Sequence, residues 1–162
     1  MDVIALRMSS IYGFGMQNPM YIKPMVESAV LGQPCEFPTG GDMPRDYTYV
    51  RDSAKAVIKA LGVDKGRIEQ RVFNVSGGTL YSAREVAEFV KEVVPGAAIS
   101  IGAGLTELEK SDIQGRGVLD CSKAKEVLGY SAEYDLRSGV REYVALMREY
   151  LQWQQHKGGG LQ

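Results

Sequence analysis

This sequence predicts an α/β fold, on three observations. The run Val3-Ile4-Ala5-Leu6-Arg7-Met8 is almost continuously apolar and of strand length, as in a parallel strand buried on both faces. Short β-rich runs then alternate with stretches whose apolar residues recur at i, i+3, i+4 and i+7. Several of those stretches carry start and stop residues, such as Ser82 with Glu85 at one end and Gly32 with Pro34 at another. Alternation of this kind marks helices packed on a sheet.

The elements follow in order. After a strand near residues 3–8, Ser9-Ser10-Ile11-Tyr12-Gly13-Phe14-Gly15 reads as a loop. A helix near residues 19–31 buries Ile22, Met25, Val26, Ala29 and Val30 and is closed by Gly32 and Pro34. Met16, Met20 and Met25 read as core or surface filling. Residues 47–50 (Tyr, Thr, Tyr, Val) are strand formers, and Asp52 then stands at the N-cap of a helix over residues 53–61. Ala54, Val57, Ile58 and Leu61 lie on one face of that helix, and Gly62 stops it. A third strand spans residues 72–75. Ser82 and Glu85 form a capping box opening a helix over residues 82–94, with Val86, Phe89, Val90 and Val93 inward. Short strands are predicted at residues 98–101 and 117–119, then a helix over 122–128 ending at Gly129. A last helix over 136–152 carries Leu136, Val140, Tyr143, Val144, Met147 and Leu151. The Gly158-Gly159-Gly160 stretch makes residues 153–162 a flexible tail, leaving residues 2–152 as the domain. A chain that opens inside a buried strand reads as one cut from something longer.

Composition narrows the classes. At 162 residues the chain can build one domain with a core, and its net charge of −1 gives no footprint for nucleic acid or an anionic membrane. No apolar run approaches the ~20 residues of a membrane span. Cys35 and Cys121 are far apart, the single histidine is His156, and no C-x-x-C spacing suggests a metal. A cytoplasmic setting with reduced thiols is the simplest expectation.

The stretch Arg45-Asp46-Tyr47-Thr48-Tyr49-Val50-Arg51-Asp52-Ser53-Ala54-Lys55-Ala56, after the Gly-rich turn Thr39-Gly40-Gly41-Asp42, carries the most information. It resembles the "R-D-(F/Y)-x-(Y/H)-V-x-D-x-A-x-A" segment of the extended short-chain dehydrogenase/reductases, the nucleotide-sugar epimerases and dehydratases. Three further stretches resemble that family in the same order. Leu6-Arg7-Met8-Ser9-Ser10-Ile11-Tyr12-Gly13 is similar to "L-R-x-x-N-x-Y-G-P-G", with Ser10 in place of Asn and Phe14 in place of Pro. Phe73-Asn74-Val75-Ser76-Gly77-Gly78 with Ser82 and Glu85 is similar to "(Y/F)-N-(I/V)-G-x-G…S-x-x-E". Leu119-Asp120-Cys121-Ser122-Lys123-Ala124 with Leu128-Gly129-Tyr130 is similar to "D-x-S-K-A-x-x-x-L-G-(Y/W)". The resemblance covers residues 2 to about 150. It implies a partial Rossmann-like fold, mainly the C-terminal substrate-binding lobe.

Two signatures of the family are not in these residues. One is the Gly-rich turn whose amides meet the cofactor pyrophosphate at a helix N-terminus. The other is the Tyr-x-x-x-Lys pair that moves the proton. Gly13-Phe14-Gly15, Gly102-Ala103-Gly104 and Gly115-Arg116-Gly117 lack the third glycine at the right spacing and read as ordinary loops. The resemblance therefore implies NAD or NADP in the complete enzyme, with none bound by this chain alone. A non-catalytic binding or interaction module derived from the same fold is the alternative.

By resemblance, Arg45 would reach the substrate diphosphate, where a guanidinium can bond two oxygens at once. The alternative is a surface arginine paired with Asp42 or Asp46. Ser10 would hydrogen-bond the substrate or tie down its own loop. Met8 and Ile11 would line the nicotinamide pocket or pack as plain core. Relatives carry an Arg-Pro-Gly-Asp turn where this chain reads Glu109-Lys110-Ser111-Asp112, so Arg116 is the candidate second anion contact. Tyr12 reads as a packing residue with a tethered hydroxyl. No residue here is assigned catalysis. The expected partners are a nucleotide-sugar-like small molecule and, because the first strand lacks covering neighbours, a second copy in a homo-oligomer.

Overall fold

The computed structural model describes residues 3–64, 66 and 68–158. The elements run β1 (Ala5–Met8), β2 (Ser10–Tyr12), α1 (Ile22–Leu31), β3 (Cys35–Phe37), β4 (Pro44–Tyr49), α2 (Val50–Gly62) and β5 (Val72–Val75). They continue with β6 (Leu80–Ser82), α3 (Ala83–Val93), β7 (Ile99–Ile101), α4 (Glu107–Asp112) and α5 (Leu136–Gly158). A 3-10 turn at Ile113–Gly115 and a π-type turn at Ala124–Leu128 lie between α4 and α5. The alternating α/β architecture is the one expected.

Pairing is mostly parallel. β1 runs beside β5 with Ala5 opposite Val72, β2 beside β4 with Ser10 opposite Tyr47, and β3 beside β7 with Cys35 opposite Ile99. β6 joins the far side of β4 antiparallel, Arg45 opposite Tyr81. β1 and β2 are one line of chain that changes partner at Ser9. The Ser9 amide still donates to the Val75 carbonyl at 2.9 Å, while its hydroxyl lies 2.5 Å from that of Thr48. Neighbouring strands diverge there, and the divergence opens a crevice.

Two apolar clusters hold these elements. The larger packs α1, α3 and α5 together through Ile22, Met25, Val86, Val90, Val140 and Val144, roofed by Tyr12, Tyr47 and Tyr49. The smaller gathers Ala56, Phe73, Val75, Ala124, Leu128 and Tyr130. Gly32 closes α1 in the left-handed region at φ 67°, where a side chain would be strained. The Ser82–Glu85 capping box opens α3 as the spacing predicts.

Several expectations are corrected. β1 is not covered on both faces: Leu6 and Met8 are half-buried while Ala5 and Arg7 are exposed. The loop after β1 contains β2. Residues 117–119 form no strand, because the Leu119 amide donates to the Asp46 carboxylate and joins no ladder. Asp52 does not cap α2. The helix begins at Val50, and the Asp52 carboxylate is fully buried, accepting from the Glu133 and Tyr134 amides at 3.0–3.2 Å. The apolar stripe of α2 is not core either: Ile58 is 68% and Leu61 82% exposed. Helix α5 also runs past residue 152 to Gly158; residues 159–162 of the expected tail lie outside the described residues. Among the described residues no helix is long and apolar enough to cross a membrane, and no group of three or more His, Cys, Asp or Glu residues could hold a metal.

Candidate functional site

The crevice at the β1–β2 partner change is a depression of about 300 Å³. Met8, Ser9 and Ser10 line one side, Asp46 and Leu80 another, and Gly115, Arg116, Gly117 and Leu119 a third. Three of the expected site residues thus meet in one place, Met8 and Ser10 from one stretch of chain and Arg116 from a distant one. Arg116 is half-buried and ion-paired with Asp112 one turn back, and its Nε is buried without a hydrogen-bond partner.

Arg45 faces a second depression, also about 300 Å³, with Asn18, Met20, Tyr21, Phe37 and Glu109. Successive strand residues point to opposite sides, so Arg45 and Asp46 address different depressions. Asp42 is engaged elsewhere, accepting from Arg84 at 3.4 Å and from the Gly104 amide at 2.7 Å. Asp46 is bonded to Ser76 and Leu119. The Arg45 Nε is left buried with no partner. An arginine donor shielded from water and unpaired is costly unless a ligand acceptor meets it. The segment from α4 through the 3-10 turn covers both depressions, contributing Glu109 to one and Arg116 to the other.

Glu109 is held in place by local chemistry. Thr106 and Glu109 form a reciprocal capping box, and the Tyr21 hydroxyl donates to the Glu109 carboxylate at 2.8 Å. Burial opposes ionisation of Glu109. Bonds from the Thr106 backbone, the Tyr21 hydroxyl and the Thr106 side chain outweigh it, and Arg45 adds to them, so the carboxyl titrates below its usual range. The same contact works the other way on Tyr21: burial, then the Glu109 bond, pushes its phenol up to about 12. Tyr21 is therefore a neutral donor at physiological pH.

Ile11 stands apart on β2, 39% exposed, and lines neither depression. Tyr12 is buried, its hydroxyl 3.4 Å from the Asp135 and Leu136 carbonyls; burial, then Tyr49, pushes the phenol far up, as fits a packing residue. A third depression, about 450 Å³, is apolar, with Ile4, Leu6 and Met8 facing Val57, Ala60 and Leu61. Apart from Arg71 in its lining, it offers a packing face. Sequence reading missed Asn18, Tyr21, Phe37 and Glu109. One usable sign of Glu109 was present, the Thr106-x-x-Glu109 capping pattern.

The chain resembles known proteins over most of its length. The family model described as the NAD dependent epimerase/dehydratase family matches residues 1–76. The chain is 28% identical over 153 residues to the dTDP-glucose 4,6-dehydratase of Haemophilus influenzae, covering 89% of this chain and 44% of that protein. A solved UDP-glucose 4-epimerase from Thermotoga maritima with UDP-glucose superposes with TM-score 0.73 at 26% identity, covering 90% of this chain and 46% of that one. MoeE5 in complex with UDP-glucose and NAD superposes with TM-score 0.71 at 26% identity, covering 91% and 47%. The chain thus spans a little under half the length of these relatives. With four motifs in order, a family match over the first 76 residues, and the same fold in these relatives, the chain is similar to the NAD-dependent epimerases and dehydratases over most of its length.

Proposed function

We propose that this chain is the substrate-binding portion of an NAD(P)-dependent nucleotide-sugar epimerase or dehydratase. Arg45 and Arg116 take the diphosphate, and Ser10 hydrogen-bonds the substrate. The observation that carries this reading is the pair of guanidinium groups, each with a buried and unpartnered Nε, at two depressions bordered by the same segment from α4 through the 3-10 turn. Both are suited to phosphate oxygens by geometry and charge.

Hydride chemistry on a sugar carbon belongs to NAD or NADP in the complete protein. The half-buried Met8 suits the apolar face of a nicotinamide ring, whereas Ile11 lines neither depression and is not brought to it. The Gly102–Gly104 stretch is packed against residues 38–42 and serves the fold rather than a dinucleotide pyrophosphate. The described residues bind and orient sugar nucleotide without holding the cofactor, so the purified 162-residue chain is expected to bind and not to turn over. Hydride transfer from it would overturn that assignment. The competing reading, a binding module, shares the binding prediction; assaying the chain for turnover together with the remaining half of the family's fold separates the two.

Arg45→Ala should weaken binding of UDP-glucose or dTDP-glucose by about 1.5–3 kcal/mol, the range for hydrogen bonds to a charged group. Titration calorimetry of both proteins against both ligands checks this, and equal affinities would remove Arg45 from the site.

The apolar trough between β1 and α2 leads to a second expectation. β1 pairs only with β5 among the described residues, and the trough beside it is lined by Leu6, Val57 and Leu61. A free strand edge beside an apolar face templates pairing with a second copy. Light scattering over a range of concentrations should give a dimer or larger mass for the isolated chain. A monomer mass at every concentration would refute it.

A further inference from the structure

Asp46 is the most deeply placed charged group in the first depression, 6% exposed. Both of its described bonds fall on one carboxylate oxygen: the Ser76 hydroxyl donates to Oδ2 at 2.5 Å and the Leu119 amide donates to it at 3.2 Å. Ser76 is fixed in turn, its hydroxyl accepting from the Gly78 amide at 2.8 Å and its carbonyl accepting from the Tyr130 hydroxyl at 3.2 Å. One side chain of β4 thereby ties together the turn after β5 and the segment that carries Arg116. That segment has no strand or helix bonds of its own from Gly117 to Asp120.

We propose that Asp46 is a positioning residue: it pins Leu119, and through it holds Arg116 over the depression that Ser10 lines. Other described ties of the segment are the Asn74 side-chain amide donating to the Asp120 carbonyl at 2.9 Å, the Cys121 thiol to the Leu119 carbonyl at 3.5 Å and the Arg116 amide to the Ile113 carbonyl at 3.0 Å. Without the Asp46 bond the stretch between Arg116 and Leu119 would sample more conformations, and the arginine with it. The binding arm of the proposal rests on the nucleotide-sugar reading above; the loop arm does not.

Hydrogen exchange and UDP-glucose titration of the full 162-residue chain test the two arms separately. In the unsubstituted protein the Leu119 amide should exchange at least ~10-fold more slowly than those of Val118 and Asp120, which no described bond protects. In Asp46→Ala that protection should vanish. UDP-glucose affinity should fall by about as much as in Arg116→Ala, and the double variant should bind no more weakly than either single one, as coupled residues do. An unprotected Leu119 amide in the unsubstituted protein overturns the proposal without any variant, which matters if Asp46→Ala does not fold. Additive losses in the double variant overturn the route through Arg116. A chain that binds no UDP-glucose at all defeats the nucleotide-sugar reading, and the Leu119 exchange rate still decides whether Asp46 pins the loop.

Discussion

Asp52→Ala is expected to destabilise the fold by about 3 kcal/mol, a large part of the ~5–15 kcal/mol that holds a domain together. The carboxylate has no solvent exposure and is the acceptor for two backbone amides, Glu133 and Tyr134. Alanine leaves both donors without an acceptor in a water-poor setting, at roughly 1–3 kcal/mol each. The damage does not stay local. Residues 133 and 134 lead into α5, which contributes Leu136, Val140, Tyr143 and Val144 to the larger core. Asp52→Asn keeps one acceptor oxygen and should lose less than half as much. Urea unfolding of the three proteins gives the comparison; a loss below ~1 kcal/mol for alanine would mean that water serves the amides instead.

Gly102→Ala should cost a similar amount, about 3 kcal/mol, by a different mechanism. Residues 102–104 thread beside residues 37–42: the Gly102 amide donates to the Phe37 carbonyl at 2.9 Å, and the Gly41 amide to the Gly102 carbonyl at 2.9 Å. A Cβ at position 102 would overlap the Pro38 carbonyl oxygen and stand 2.8 Å from the carbon behind it. Those are backbone atoms and cannot swing aside. The strain passes to Phe37, which lines the Arg45 depression, so ligand affinity should fall along with the melting temperature. Thermal unfolding reads the effect, with Ala103→Gly at the next position as the matched comparison, expected to shift the midpoint far less. A Gly102→Ala midpoint within about a degree or two of the parent would show that the two backbones can part.

Most elements were legible because their signals are local. The capping box at Ser82 and the apolar spacing of α1, α3 and α5 each lie within a few turns of chain. The short strands β2, β3 and β6 were not, since three residues carry too little period to separate from loop. The Val57, Ile58 and Leu61 stripe shows the difference between a pattern and its partner. Spacing identifies which side of a helix is apolar, while only tertiary structure says what covers it. Asp52 sits inside the first turn of α2 rather than before it, so an apparent cap is a buried acceptor for a distant loop. At the site, Ser10, Met8 and Arg116 could be named by resemblance. Tyr21, Phe37 and Glu109 come from three separate stretches of chain, and nothing in linear order brings them to Arg45.

The parallel ladders also set how the chain reaches this state. Ala5 must find Val72 and Cys35 must find Ile99, so each ladder closes a loop containing whole helices before its first bond is made. Loop closure is unfavourable until those contacts are complete, and chains dominated by such pairings fold slowly, in milliseconds to seconds rather than microseconds. Helices α3 and α5, whose signals are local, can form transiently long before β1 meets β5. During that interval the apolar strand β1 is exposed and unpaired, which makes the early nascent chain the species most in need of protection from aggregation.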